Sequence, residues 1–199
     1  MTTTATDPRP LLRRTADQFA ALVATVEPER LGDPTPCSEF DVRALISHVL
    51  GNTLAYAIIT EGGPLEQATG GAGEIADEGW AAAYAAAAER LVAAGEGLDD
   101  PALEHVVDLG FAKMPLRGTL SAVVMEIAAH SWDLRTALDS AIELAPDVAE
   151  FSLAFARQAI AQDRRGGPVP FAPVRPAPEG ADAYGQLAAW LGREVPSAS

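Results

Sequence analysis

Cysteine is almost missing from this 199-residue chain. Cys37 stands alone, so an internal disulfide is excluded, and so is a zinc site built from cysteines. Cations are scarce too. Fourteen Lys and Arg, of which only Lys113 is lysine, face 28 Asp and Glu, giving a formal net charge of −14 and a pI near 4.5. Such a chain has no basic field with which to displace counterions from phosphates, so neither nucleic acid nor an anionic membrane surface is expected as a partner. No uninterrupted apolar run approaches the ~20 residues that cross a bilayer. The opening MTTTATDPRPLLRRTADQF places prolines and acids where a secretory signal is apolar. Together with the cysteine usage, these absences point to a cytoplasmic protein. Strand-type alternation is nearly absent, no repeat of fixed period occurs, and no glycine loop follows a strand, which sets aside solenoids and phosphate-cradling folds.

What is present is helical. The residues are 48% hydrophobic, and a chain of this length buries roughly 70% of its unfolded surface. One domain is expected over residues 1–199, with its core at about 9–162 and a C-terminal extension over 163–199. Apolar residues recurring at three and four predict a first helix from Arg9 to Val26, ended by Pro28. Ser38 and Asp41 stand three apart like a capping box, opening a second helix to about Thr60 with Val42, Leu45, Ile46, Val49 and Thr53 inward. The glycine-rich stretch 62–73 reads as a loop. An alanine-rich third helix is predicted from Glu74 to Ala94, then a crossover at 95–115 in which 105–109 is locally extended. A fourth helix opens at Gly118 or Thr119, a fifth runs from Pro146 to about Gln162, and a short one spans about 181–191. The ends, with 196–199, are expected to fray. The fold class is all-α: a four-helix bundle with additional C-terminal helices and a short proline-rich extension.

Within this frame one constellation carries chemistry. Glu126 and His130 lie four apart on the fourth helix, so their side chains stack about one turn apart and can chelate one ion. His48 from a facing helix would complete a two-histidine, one-carboxylate set, the ligand number of a site with an open position. Asp133, three beyond His130, is placed to hold an imidazole N–H from behind. Spacing alone favours a blander reading, with Glu126 and His130 a solvated helix pair and His48 a packed histidine. Asn52, one turn after His48, points either into the same cavity as a ligand contact or into ordinary helix packing.

Resemblance weighs on that choice. The stretch Thr35-Pro36-Cys37-Ser38-Glu39-Phe40-Asp41-Val42-Arg43-Ala44-Leu45-Ile46-Ser47-His48-Val49 resembles the second-helix signature of the mycothiol-dependent maleylpyruvate isomerase metal-binding domain family, within the DinB-like four-helix-bundle metalloproteins. Met125-Glu126-Ile127-Ala128-Ala129-His130-Ser131-Trp132-Asp133-Leu134 resembles that family's fourth-helix motif, and Leu191-Gly192-Arg193 extends the similarity toward the end. The resemblance implies a DinB-like bundle holding a divalent metal through His48, Glu126 and His130. It further implies a low-molecular-weight thiol cosubstrate of the mycothiol type, an electrophilic small-molecule substrate, and either a thiol S-transferase or a maleylpyruvate-isomerase-like reaction. Zinc suits the donors best, with Ni2+, Fe2+ or Mn2+ as alternatives. A non-catalytic metal-binding module of a stress response or an interaction is the other reading. A homodimer is implied by relatives, although no periodicity establishes it. The isomerase relatives carry a further C-terminal thiol-binding domain, of which this chain is expected to lack a full version. Phe40 stands where relatives often have tryptophan, and the run from Arg135 to Asp139 departs from the usual Ala-Arg-Ala-Thr-Gly.

Other residues read more simply. Cys37, after Pro36 in a loop, is read as packing rather than as a nucleophile or fourth ligand. Trp132 reads as core or groove lining, Arg43 as a surface ion pair and His105 as a solvated side chain. Arg164 and Arg165 suit a helix C-terminus better than a carboxylate-binding spot.

Overall fold

The computed structural model describes residues 6–69, 71–110, 112–160, 162, 165 and 171–196. The first helix, α1 (Arg9–Val23), accepts Pro10 in its opening turn and buries Leu12, Ala16, Phe19 and Val23 along one face. It ends three residues before the expected Val26. Thr25 donates its hydroxyl to the Leu22 carbonyl at 2.7 Å, and the amides of Thr25 and Val26 turn back to Leu22 and Val23, closing the helix in tight turns.

α2 (Val42–Thr60) is capped by Asp41 itself, which accepts from the Ala44 amide at 2.8 Å; Ser38 lies ahead of the cap and takes no capping role. Thr35 donates to the Phe40 carbonyl at 2.7 Å, and a bridge between Pro34 and Asp41 folds this loop against the helix start. α2 also corrects the expectation about apolar runs, since it is long and apolar enough to cross a membrane by length and composition, with a mean hydropathy of 1.4. Its apolar content is explained by position: it packs on both α3 and α4 and buries Val42, Leu45, Ile46, Val49 and Ala57.

α3 (Trp80–Glu96) begins later than Glu74. Residues 76–79 form a turn instead, with the Gly79 amide on the Ala76 carbonyl at 2.8 Å and Asp77 held to α2 by Arg43. Near its end, Gly95 lets α1 approach, because a Cβ there would stand 3.1 Å from Leu12 Cδ2. The expected extended segment is a hairpin: β1 (Val106–Asp108) pairs antiparallel with β2 (Lys113–Pro115), Val107 opposite Met114. The second strand runs straight into α4 (Leu116–Leu138), two to three residues ahead of the predicted start, because Pro115 already holds an N-cap conformation. α4 closes on Asp139 at φ +48°, one of the few L-residues that visit this region readily. α5 (Pro146–Ala159) stops short of Gln162, and α6 (Ala183–Trp190) starts at its cap, Asp182.

α1, α3, α2 and α4 form a closed ring of packed neighbours, while α5 packs on the outer side of α4 and α6 on α5 and α4. The result is an all-α bundle with additional C-terminal helices, and residues 171–178 form the described part of the proline-rich extension. The expected fraying of the first residues and of 197–199 lies outside the described residues. Substituting Asp41→Ala is expected to cost about 1 kcal/mol by removing the α2 cap, and Asp41→Asn much less, in urea unfolding; equal midpoints for the two variants would deny the cap its role.

Candidate functional site

His48, Asn52 and Tyr56 recur every four residues and so share one stripe of α2; Glu126, His130 and Asp133 share one of α4. Where the two helices pack, these stripes meet. One ring nitrogen of each histidine and a carboxylate oxygen of Glu126 all lie within 4.8 Å of one another. His48 Nε2 stands 3.3 Å from Glu126 Oε1, and the two imidazoles meet edge to face with centroids 5.2 Å apart. Phe40, set beside the helix by the loop before α2, lies 4.9 Å from the His48 ring and 6.3 Å from that of His130. Asn52 joins the cluster as a donor to Glu126 Oε1, its Nδ2 lying 3.2 Å from His48 Nε2, which faces the same carboxylate oxygen.

Charges in the cluster are set by these contacts. Burial pushes the Glu126 carboxyl up, yet the hydrogen bond with His48, the charge of His130 and the Asn52 amide together outweigh it and hold the pKa below its ordinary value. Tyr56 is pushed the other way, first by burial and then by the Glu126 charge, so its phenol stays protonated. Asp133 is fully buried. Burial opposes its ionisation, but the bond with His130 and the Arg193 guanidinium prevail and lower its pKa. An ionised carboxylate only accepts, so His130 Nδ1, 3.0 Å from Asp133 Oδ2, is the donor of this bond.

The cluster opens on a groove of about 510 Å³ walled by Ala44, Ser47, His48 and Asn52 on α2 and by Ala68, Gly71 and Ala72 opposite. Gly51 permits this closeness: a Cβ there would meet Ala72 N at 3.4 Å and Gly71 Cα at 3.5 Å. Across Ala44 and Ser47 lies a second groove of about 800 Å³, bordered by Asp41, Arg43, Glu74 and Trp80.

Two imidazoles and a carboxylate are donors that suit a divalent cation. Ligand atoms of a tetrahedral zinc site stand about 3.4 Å apart for bonds near 2.1 Å; the His48–Glu126 separation already has this value, and the remaining pairs need only a small side-chain closure. The residues present therefore fit a divalent ion with an open position.

Spacing could not place Cys37. It is half-buried, with Sγ within 4.8 Å of a His130 ring nitrogen and an Asp133 oxygen. Burial pushes its thiol up, Arg193 pulling down and Asp133 pushing up in turn, so the sulfur stays protonated at neutral pH. Trp132 is buried core, Arg43 pairs with Asp77 and His105 is exposed at the base of the hairpin, each as read. Arg165 does not serve a helix end: it lies 5.3 Å over the Trp190 ring and donates to the Ala172 carbonyl at 2.9 Å. Arg164 lies outside the described residues. Sequence reasoning missed the side chain behind Asp133. Arg193, 60 positions on, donates from Nε to Oδ1 at 3.2 Å and from Nη2 to Oδ2 at 2.9 Å. The only signal for it was the Gly-Arg pair just after a short helix.

The profile of the mycothiol maleylpyruvate isomerase N-terminal domain matches residues 12–135. Two uncharacterized proteins of Mycobacterium tuberculosis, MT0763 of strain CDC 1551 / Oshkosh and Rv0738 of strain ATCC 25618 / H37Rv, are each 33% identical over 189 residues, covering 95% of this chain and 99% of theirs. The crystal structure of the mycothiol-dependent maleylpyruvate isomerase superposes with a TM-score of 0.59 at 17% identity, and that of a histidine-to-alanine mutant of it with 0.60 at 18%. Each covers 74% of this chain, and this chain spans 65% of theirs. The DinB-like helical fold is thus shared.

Asp133, with its lowered folded pKa, contributes stability that is complete above the ordinary carboxyl value of 3.8 and is lost as pH falls through the folded value. Asp133→Asn leaves Arg193 buried without its counter-charge and is expected to cost roughly 3–5 kcal/mol at pH 7. Its urea midpoint should also fall less steeply than the native protein's as pH drops below 3.8. An acid limb of native steepness in the variant would assign the acid sensitivity to other carboxylates.

Proposed function

This chain belongs to the mycothiol maleylpyruvate isomerase N-terminal domain family, and from that premise we propose that His48, Glu126 and His130 hold a divalent metal ion that activates a low-molecular-weight thiol for reaction with an electrophile. The observation that carries the reading is the convergence of these three side chains from α2 and α4 beside an open groove. A bound ion supplies the Lewis acidity that keeps a thiol deprotonated at neutral pH. Zinc is the proposed ion, because two nitrogens and one oxygen with a free position are a familiar zinc donor set.

The chain's own residues do the rest. Glu126 enters as a carboxylate, and His130 has Nδ1 engaged by Asp133, which leaves Nε2 as its ligand atom. Phe40 covers the two imidazoles and limits water at their rings. Asn52, whose amide points at His48 and Glu126, is placed to orient a cosubstrate lying in the groove. The small walls of Ala44, Gly51 and Ala72 leave room for that cosubstrate beside the ligands. A thiol of the mycothiol type and a small electrophile are the proposed substrates, and isomerisation or S-transfer follows according to whether the thiol is released or retained.

Elemental analysis of protein purified without an affinity tag is the test. About one divalent ion per chain is expected, lost in His48→Ala, Glu126→Gln and His130→Ala variants that keep their helical circular dichroism. Protein that holds no ion and takes up none when zinc or nickel is added overturns the proposal. Turnover of mycothiol with an electrophile separates the enzyme from a metal-binding module, which would keep its ion and show none.

A further inference from the structure

The end of α6 has a geometry that the bundle itself does not require. The Gly192 amide bonds the Ala189 carbonyl at 3.1 Å and the Arg193 amide bonds that of Ala188 at 2.9 Å, the paired closure of a Schellman turn. Gly192 sits at φ +91°, and a Cβ there would stand 2.7 Å from Ala172 Cβ, so only glycine turns the chain here without displacing the extension. The turn sends Arg193 inward, where it is 9% exposed. Its Nη1 donates to the Leu191 carbonyl at 3.2 Å, while Nε and Nη2 grip both oxygens of Asp133. Oδ2 of that carboxylate is also the acceptor of His130 Nδ1.

Anchoring α6 does not explain this pair. The helix already buries Tyr184, Leu187, Ala188 and the following Leu191, and Gln18 donates to the Tyr184 hydroxyl at 2.7 Å. A buried ion pair is costly to desolvate, and apolar side chains of similar volume anchor a helix at least as well. What apolar side chains cannot do is fix the rotation of a carboxylate, which a two-pronged guanidinium does.

We propose that Arg193 is a positioning residue of the metal site: by holding Asp133 it keeps the His130 ring in the Nδ1–H tautomer and orientation that offers Nε2 to the ion, so that docking of the C-terminal turn and metal retention are coupled. This rests on His130 being a ligand, as proposed above.

The test uses the full chain, native and with Arg193→Met or Arg193→Lys. Zinc affinity is read by competition with a chromophoric chelator, the His130 ring nitrogens by 15N chemical shifts of the metal-free protein, and stability by urea unfolding. Arg193→Met is expected to weaken zinc binding about 10- to 100-fold and to move the His130 nitrogen shifts toward a mixture of tautomers. Arg193→Lys, which keeps the charge but loses the fork, should fall between. Native zinc affinity with native His130 shifts overturns the proposal, whatever the urea midpoint does. If Arg193→Met fails to fold, Arg193→Lys decides by the same readouts. If the native protein binds no zinc, the metal reading fails by itself. The nitrogen shifts then decide the positioning role: a tautomer mixture in the variants supports it, and native shifts overturn it.

Discussion

α4 is packed on by four other helices, and that constraint organises the molecule. α1 and α2 pack against it within the ring, α5 and α6 from outside. A helix so enclosed should be apolar all round, yet it buries His130, Ser131 and Asp133 within about one turn. Each polar group must then find a partner inside the protein, because a buried donor or acceptor left alone costs more than a hydrogen bond gains. Ser131 turns back to the Ile127 carbonyl at 2.7 Å, and Asp133 takes Arg193 and His130 together. The site is the part of this helix where polar partners come from other elements.

That dependence explains how much was legible in the sequence. Helix identity was, because apolar residues at three and four reveal a buried face without any knowledge of its partner. The pairing of Glu126 with His130 was legible for the same reason, being fixed by helical pitch alone. Helix beginnings were less so: the Arg43–Asp77 contact that keeps residues 74–79 out of α3 joins positions 34 apart, and no local propensity records it. Phe40, Cys37 and Arg193 reach the cluster from loops and turns whose path is set by tertiary contact. They could be named from the sequence, but not placed. His48 and Asn52 were placeable on one stripe, while the convergence of that stripe with α4 rested on the resemblance until the packing displayed it.

Small residues shape the site as much as its histidines and carboxylate do. Gly51 and the alanines around it bring the 71–72 segment close to α2 while leaving an open groove, so the approach to His48 is walled mainly by backbone and methyl groups. Arg43, the cation beside the adjoining groove, is already paired with Asp77. With that cation paired, Ser47, Asn52, Asp41 and Glu74 are polar groups lining this surface, a character that matches the acidity of the chain as a whole.

The 60 positions between Asp133 and Arg193 also have a meaning in time. Synthesis at roughly 5–20 residues per second separates the two by about 3–12 s. Through that interval α4 exists with its carboxylate but without the guanidinium that offsets burial, so the face destined to meet α6 stays open to water. The histidine environment is completed only when a turn 60 positions beyond Asp133 arrives.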